Sequence, residues 1–529
     1  MLFWFVIGPV LIAVFMNIVP FKKAGKFIAI IAQTVLTGFS FYLFMLCKET
    51  EIVTWVGNYR EGMGIMLKAD ILSSVFVMLT CFIFLISALY SFNERTGKLL
   101  LFLFFIWEGL LIGIFLSCDL FNNFVLLEVA TVIVSILIMF KRDSRSMHDG
   151  MVYLMANTVA IQFYLFGIGY IYKLTGVLNM DSAALALRSI DKSSQVLPFA
   201  LIMTSISLKC ALMPLFSWLP RAHSTHGAPT VVSGILSGLH IKSGIYLFIR
   251  FQHIFQDLAV NDFFLITGII TGIAGFIFAL SQTDIKLILA YHTISQIGMI
   301  MIGLNSGSVY TYTGGIYHII NHALFKTALF LCAGIIVNVY GTRNIYKIKG
   351  VFRRIPMVGT ATILAMFGIT GAPFFNGSIS KYFIMSGATW LVYGIILLIN
   401  LGTIVSFIKF STMLFGKCDS EITLTKVTVP QQAVVLLLGT MCLTGGIFGE
   451  QCIEFLFTTK VSVDAIGYLQ KIGLYLISVI AGYFIFKYYV KKSRLFVRIH
   501  EIELSFRGIC VSIGAFFALI LMVVKLHTF

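Results

Sequence analysis

Residues 209–250 read KCALMPLFSWLPRAHSTHGAPTVVSGILSGLHIKSGIYLFIR, and this stretch decides the fold. Lys209 and Lys242 lie inside apolar runs long enough to cross a membrane, and a polar turn with His223 and His226 separates the runs. A charge at bilayer depth costs roughly 2.5–3.5 kcal/mol on insertion scales, so such residues usually line the path of an ion or a substrate. The stretch therefore predicts two neighbouring transmembrane helices beside a polar path, with the two histidines in the turn rather than in the path.

The whole chain has the composition of a polytopic membrane protein. Of its 529 residues, 59% are hydrophobic and only 11% are charged, and apolar runs of about 18 residues or more recur from end to end. The runs are continuous rather than alternating, which argues against a β-barrel. Lysines follow the first run instead of preceding it, so this run predicts an uncleaved helix and not a secretory signal.

The net charge of +16 comes from basic residues whose positions indicate the membrane topology. Most of the 38 lysines and arginines fall in the odd-numbered connections between about sixteen predicted spans. By the positive-inside rule these connections are cytoplasmic, and both the N- and the C-terminus lie outside. We therefore expect a multi-pass protein of the cell membrane, in contact with lipid, and no nucleic-acid partner.

Two predicted spans are interrupted in a related way. In the seventh, Lys209 precedes Pro214, and in the twelfth, Gly371 and Pro373 precede Lys381. Proline and glycine free backbone carbonyls, and broken helices at membrane depth are tolerated where they line a polar cavity. Paired interruptions of this kind indicate inverted structural repeats.

The fold class predicted from these features is an all-α polytopic membrane protein. A core of about fourteen helices contains two inverted five-helix repeats with broken helices 7 and 12, and about two further helices follow it. The expected segments are 1–98 with spans 1–3, 99–251 with the first repeat (spans 4–8), 262–414 with the second repeat (spans 9–13), and 415–529 with the C-terminal helices and a short amphipathic inner segment at 491–508.

Sequence motifs for cofactors are missing. The nine cysteines are scattered without a C-x-x-C pair, which argues against an iron–sulfur cluster, structural zinc or a disulfide framework. Neither a Walker loop nor a G-x-G-x-x-G after a strand occurs. We predict no cofactor, no metal and no redox site in this chain, so any redox energy must come from partner subunits.

A set of ionisable residues lies within the predicted spans or close to their ends. Without bulk water these groups must pair, titrate or line a hydrated path. Lysine is the most informative type, because its proton affinity falls readily on burial and a nearby glutamate restores the charged form. The set comprises Glu108, Glu128, Lys209, Lys242, His318, His322, Lys326 and Lys381, with His240 and His292 nearer to span boundaries.

Three members of the set share one helix. His318, His322 and Lys326 are spaced i, i+4 and i+8, which places them on one face. The stripe favours a hydrated path over a zinc site, because no glutamate follows the first histidine and no carboxylate is near in sequence.

The two glutamates leave alternatives open. Glu128, on the fifth span, is either a neutral acid bonded to a hydroxyl or the partner of a buried lysine, and the several buried lysines favour pairing. Glu108 has no specific role: structural pairing and lining of the pathway both fit.

The pattern K-x-x-x-x-P-x-x-x-W-L-P-x-A-H, followed by A-P-T-x-V-S-x-x-L-S-G-x-x-x-K-x-G-I-Y, resembles the antiporter-like proton-translocating subunits. These occur in respiratory complex I, membrane-bound hydrogenases and multisubunit Mrp cation/proton antiporters. The motifs DLFNNFVLLE, LILAYHTISQIG, YHIINHALFKTALFLCAG and GAPFFNGSISK extend the resemblance over roughly residues 70–415. AYHTISQIG and TGVLNM are most similar to the D-type Mrp subunit and its hydrogenase relatives.

The resemblance implies roles for individual residues. Glu128 would pair with Lys209, and Lys242 would be the central lysine. His318 and His322 would continue the hydrated axis. Lys381 would be the lysine that faces the outer exit. With Lys326, which the helical stripe adds, the expected path is Glu128, Lys209, Lys242, His318, His322, Lys326 and Lys381. Glu108, His240 and His292 are further candidates from their place in or near the spans.

The implied function is proton translocation by one subunit of a multisubunit membrane complex, of Mrp, NADH:quinone oxidoreductase or hydrogenase type. The partners would be other membrane subunits and lipid. The translocated ion would be H⁺, and whether Na⁺ is also translocated is left open. The alternative is a self-sufficient Na⁺(K⁺)/H⁺ secondary antiporter, although no span holds a central aspartate. A scaffold without transport is a third hypothesis, which would leave the buried lysines without a purpose.

Overall fold

Helices make up nearly all of the regular structure in the computed structural model of the chain. Among the described residues, thirteen helices are long and apolar enough to cross a membrane, which confirms the predicted all-α membrane fold. The structure describes residues 1–18, 24–59, 64–93, 97–224, 227–258, 260–417, 426–492, 496, 499 and 504–528. His226 and half of the predicted amphipathic segment 491–508 lie outside these residues.

The helices follow one another with short connections. The first half contains α1 (Leu2–Ile18), α2 (Ala24–Cys47), α3 (Ile71–Tyr90), α4 (Lys98–Leu116), α5 (Leu120–Ile138), α6 (Ser144–Thr175), α7 (Met180–Leu187), α8 (Lys192–Lys209), α9 (Trp218–Ser224), α10 (Thr230–Ile235) and α11 (Ile241–Ile254). The second half contains α12 (Asn261–Ser281), α13 (Ile285–Asn305), α14 (Val309–Tyr340), α15 (Val351–Arg354), α16 (Pro356–Thr370), α17 (Asn376–Ser386), α18 (Trp390–Ser411), α19 (Val429–Ile447), α20 (Gly449–Phe457), α21 (Ala465–Tyr488) and α22 (Phe506–Thr528).

A small hairpin joins α2 to α3. Strands β1 (Ile52–Trp55) and β2 (Met66–Ala69) pair antiparallel. Asp70 follows directly and caps α3, because its carboxylate accepts the Ser73 backbone N–H at 2.8 Å. The same carboxylate pairs with Arg250 of α11 at 2.7 Å, which ties the hairpin to the first half of the bundle.

The Asp70–Arg250 pair predicts a pH-dependent contribution to stability. Burial would raise the pKa of Asp70, but Arg250 and the Ser73 hydrogen bonds outweigh it and hold the pKa below its usual value. A carboxylate with a depressed folded-state pKa stabilises the fold above its unfolded pKa, near pH 4, and this contribution is lost as the pH falls through the folded-state value. We expect Asp70→Asn to cost about 2 kcal/mol at pH 7 and much less at pH 3.

Thermal unfolding in detergent, followed at both pH values, checks this expectation. Glu51→Gln is the matched control, because Glu51 pairs with Lys68 at 3.0 Å but its side chain is 59% exposed. An equal loss of stability for Asp70→Asn at pH 7 and pH 3 would contradict the assignment.

In both halves of the chain, an aspartate caps the start of a helix and also forms a backbone bridge to an asparagine. Asp119 caps α5 and forms an isolated backbone bridge to Asn179, just before α7. Asp284 caps α13 in the same way and forms a bridge to Asn344, which follows α14. The recurrence supports two related units, and their boundaries at 99–251 and 262–414 stay a prediction.

The seventh span is broken as predicted. Helix α8 ends at Lys209, Ala211 adopts a positive φ of 52°, and the helical path resumes at α9. Trp218 donates its Nε1–H to the Leu208 carbonyl at 2.8 Å, which satisfies one of the carbonyls at the end of α8. The break therefore holds Lys209 at a helix end inside the bundle.

The twelfth span is broken in a similar place. Helix α16 ends at Thr370, Gly371 adopts a φ of +76°, and α17 begins at Asn376. A Cβ on Gly377 would lie 1.9 Å from the Gly368 carbonyl oxygen, so only glycine permits this approach of the two half-helices. Both predicted interruptions are thus confirmed.

Candidate functional site

Lys209 contacts the fifth span through a hydroxyl. Its Nζ donates to Thr131 Oγ1 at 2.7 Å, and Thr131 donates to the Leu127 carbonyl at 2.8 Å. Glu128 lies one turn away on α5 and attracts the Lys209 ammonium, yet its Oε2 is buried without a hydrogen-bond partner among the described residues. The structure therefore brings Glu128 and Lys209 near each other without a direct ion pair, and their pairing stays a prediction.

His240 is held by two aromatic side chains. Trp107 donates its Nε1–H to His240 Nδ1 at 3.3 Å, and the Tyr153 hydroxyl lies 3.1 Å from His240 Nε2. Tryptophan can only donate, so Nδ1 must accept and Nε2 carries the hydrogen of a neutral ring. Lys209 is close enough to repel a charged His240. This histidine, on the eighth span, is fixed in one tautomer by side chains of α4 and α6.

Lys242 joins the eighth span to the eleventh. Its Nζ lies 2.5 Å from His322 Nδ1 and donates to the Ser237 carbonyl at 2.6 Å. Ser237 belongs to a π-helical turn, Leu236–His240, of the kind that occurs frequently at functional sites. The Ser237 hydroxyl also contacts Thr293 at 2.7 Å, which links α13 to the same point. Lys242 and His322 are both fully buried.

The histidine stripe on α14 continues toward the second break. His318 Nδ1 lies 2.8 Å from Ser380 Oγ of α17, and its Nε2 lies 3.0 Å from Gln296 Oε1 of α13. His322 Nε2 is buried and has no partner among the residues that the structure describes. His318 thus faces α13 and α17 while His322 faces α11, and a shared role of the two rings in a hydrated path stays a prediction.

The other two lysines of the predicted path, Lys326 and Lys381, donate hydrogen bonds to backbone and amide oxygens. Lys326 donates to the Leu289 carbonyl at 2.6 Å. Lys381 donates to the Ile369 carbonyl at 2.6 Å, next to the helix break, and to Asn400 Oδ1 at 2.8 Å. These contacts lower the cost of burying an ammonium group, and each can be exchanged for another oxygen without unfolding a helix.

Glu108 and His292 lie apart from these contacts. Gln33 of α2 donates to Glu108 Oε1 and to the Cys81 carbonyl, the latter at 3.2 Å. Of the two roles left open for Glu108, the contacts favour structural pairing within α2–α4. The His292 ring packs against Phe407 with ring centroids 4.7 Å apart and planes tilted by 33°, and its nitrogens have no partner in the described part of the chain.

Three further lysines were missed by the sequence analysis. Lys409 of α18 donates to the Ala279, Leu280 and Gln282 carbonyls at the end of α12. Lys286 is buried at the start of α13, and Lys471 of α21 contacts the break of the twelfth span. All three lie near the ends of apolar runs, where a lysine ordinarily extends toward the headgroups and gives no signal of burial.

A cavity of about 730 Å³ opens beside Lys286 on the side of the odd-numbered connections. Every charged side chain among its described lining residues is basic: Lys141, Lys286, Arg343 and Lys426. Asp284 is close by, 3.8 Å from Arg343. No group of three potential metal ligands occurs among the described residues. The candidate site thus comprises the buried lysines and histidines described above, Glu128 and their hydrogen-bond partners.

Broken helices and a series of buried lysines and histidines define a class of ion-translocating membrane proteins, and the sequence comparison agrees. Residues 117–409, more than half of the chain, match the family described as NADH:quinone oxidoreductase/Mrp antiporter, transmembrane. The chain belongs to this family, which confirms the resemblance found in the motifs.

Two curated relatives illustrate the similarity. The D-type subunit of the Na⁺/H⁺ antiporter of Alkalihalophilus pseudofirmus is 30% identical over 419 residues, covering 74% of this chain and 84% of the relative. The putative antiporter protein mnhD2 of Staphylococcus aureus is 28% identical over 444 residues, covering 80% of this chain and 88% of the relative.

Solved structures share the fold. A chain of the Mrp complex from Dietzia sp. DQ12-45-1b superposes with a TM-score of 0.80 at 21% identity, covering 90% of this chain and 98% of that one. A chain of an archaeal membrane-bound sulfane sulfur reductase gives 0.80 at 22% identity, covering 90% and 99%. The antiporter-like core fold is therefore confirmed.

Proposed function

We propose that this chain is a proton-translocating, antiporter-like subunit of a multisubunit membrane complex, of Mrp or NADH:quinone oxidoreductase/hydrogenase type. The proton passes along Lys209, Lys242, His322, His318 and Lys381. The observation that carries the proposal is the 2.5 Å contact between Lys242 and His322, because it joins two buried bases on different spans, α11 and α14. Lys326, beside this contact on α14, belongs to the same hydrated region.

The contacts support a sequence of proton transfers. The Lys242 ammonium donates to His322 Nδ1, and His322 Nε2, which has no partner among the described residues, can pass a proton onward along α14. His318 meets Ser380 on the helix that also carries Lys381. Each step moves one proton between a base and its neighbour, and no cofactor is required.

The fifth span supports a role for a neighbouring subunit. Phe121, Val125, Val129 and Val132 leave one apolar face of α5 exposed, next to Glu128. A partner subunit on this face could move the Glu128 carboxylate, and its approach or withdrawal would change the proton affinity of Lys209. The proposal also places the complex in the cell membrane with both termini of this chain outside, which accessibility of terminal tags in intact cells would check.

Reconstitution tests the proposal. We expect the assembled complex in liposomes to translocate protons, measured with a pH-sensitive dye, and the purified chain alone to translocate none. The competing hypothesis is a self-sufficient Na⁺(K⁺)/H⁺ antiporter, so robust Na⁺-dependent proton flux from the chain alone would overturn the subunit assignment.

A further inference from the structure

Helix α21 lies beyond the residues that match the family, 117–409. Only 11% of its apolar stretch is buried, as for a helix on the rim of the bundle. Three polar side chains, Tyr468, Lys471 and Tyr475, nevertheless lie at i, i+3 and i+7 and so share one face. That face is turned toward the break of the twelfth span.

Each of the three side chains contacts the break. The Tyr468 hydroxyl accepts the Phe374 backbone N–H at 3.1 Å and lies 3.0 Å from Ser378 Oγ. Lys471 Nζ donates to the Ser378 carbonyl and to Ser378 Oγ, the latter at 3.1 Å. The Tyr475 hydroxyl lies 3.1 Å from Thr370 Oγ1, at the end of α16.

The ammonium of Lys471 faces the same break as Lys381. Lys471 is near enough to repel the charges of both Lys381 and His318. Lys381 is 1% exposed, whereas Lys471 is half-buried. No carboxylate contacts these two ammonium groups among the described residues, so the two lysines repel each other when both are charged. A proton that binds to one lysine therefore lowers the proton affinity of the other.

The start of α21 lies on the side of the membrane where α17 ends. Helices α18 and α19 each cross once between them, which returns the chain to that side. The Tyr382 hydroxyl of α17 accepts the Asp464 backbone N–H at 3.1 Å, and this contact holds the start of α21 against α17. Lys471 is about two turns from this end of α21.

We propose that Lys471 is the exit group of the proton path, taking the proton from Lys381 and releasing it on the side where α21 begins. In this step the proton leaves the Lys381 ammonium and binds the neutral Lys471 amine, and no other bond changes. The inference rests on the proposed function, since it supplies the last base of the same path. It also gives the C-terminal helices, which had no predicted role, a function in transport.

The competing explanation is that Lys471 only holds α21 against the break of the twelfth span. The variant Lys471→Arg distinguishes this explanation from proton release. Arginine keeps the charge and can donate to Ser378, but it does not release its proton near neutral pH. We expect the assembled complex carrying Lys471→Arg to translocate protons at least about tenfold more slowly, with Lys471→Gln equally impaired. Tyr475→Phe is the control, because it removes a hydrogen bond from the same face but leaves the lysine in place.

Proton flux in liposomes is measured from pH 6 to 9, with subunit content equalised by immunoblot. The titratable and charged groups around Lys471 are His318 of α14, Lys381 and Tyr382 of α17, Glu450 of α20, and Asp464, Tyr468 and Tyr475 at the start and on the face of α21. We expect wild type and Tyr475→Phe to share one profile, and Lys471→Arg to lose flux across the range.

The outcomes separate this inference from the proposed function. Wild-type flux in Lys471→Arg together with loss of flux in Lys209→Met would overturn the inference alone. Wild-type flux in Lys209→Met would remove the proposed function itself. If Lys471→Gln fails to assemble, the arginine variant still decides, because it retains the contact with Ser378.

Discussion

Replacing Lys209 by methionine is expected to reduce proton translocation at least about 100-fold, with the subunit still assembled in its complex. Methionine has a similar length but no titratable group. It also leaves the Glu128 carboxylate without its nearby positive charge, and removing one partner of a buried charge pair is destabilising, so flux is compared at equal content of assembled subunit. The functional loss follows because Lys209 is the lysine of the first break and the one that Glu128 attracts.

Two variants of the fifth span complete the experiment. Glu128→Gln removes the charge that attracts Lys209, so we expect a similarly large loss. Thr131→Val removes only the hydroxyl that receives the 2.7 Å hydrogen bond, so we expect a smaller loss, about tenfold. Thr204→Val is the matched control on α8, because within the described part of the chain the Thr204 hydroxyl bonds only to the Ala200 carbonyl. Wild-type flux in both Lys209→Met and Glu128→Gln at equal expression would contradict the assignment.

The features that the sequence predicted are local ones. Proline and glycine beside a lysine in an apolar run mark a broken helix wherever the run occurs, and both breaks were found where Pro214 and Gly371 predict them. The face shared by His318 and His322 is also local, because helix geometry alone sets it. Local chemistry thus predicted most of the titratable positions.

The partners of those positions depend on packing between distant segments. Lys409 contacts carbonyls at the end of α12, more than a hundred residues earlier, and nothing near Lys409 in sequence indicates this. Lys471 is bound at the break only because α21 folds back onto α17. Side-chain geometry is equally non-local: Lys209 reaches Thr131 on another helix, while Glu128 remains one turn away.

The contact between Lys242 and His322 predicts the second large effect. Lys242→Met removes the only lysine that meets a histidine of the path directly among the described residues, and we expect at least about a 100-fold loss of proton flux. His322→Gln offers an oxygen to the Lys242 ammonium but has no ring to relay a proton, so flux should fall to a similar level while the bundle stays folded. Ser243→Ala is the matched control: Ser243 is adjacent on α11, and among the residues that the structure describes its hydroxyl bonds only to the His240 carbonyl, at 2.6 Å.

The double variant Lys242→Met/His322→Gln distinguishes a shared step from two separate ones. If the proton passes from Lys242 to His322, either single substitution already blocks the step, and the double variant is no slower than the singles. If the two residues contributed to transport independently of each other, the single losses would multiply in the double variant. Flux is measured in the reconstituted complex, and a multiplicative loss, or wild-type flux in His322→Gln, would contradict a direct transfer. The 2.5 Å contact favours the shared step, because each residue is the other's nearest titratable partner.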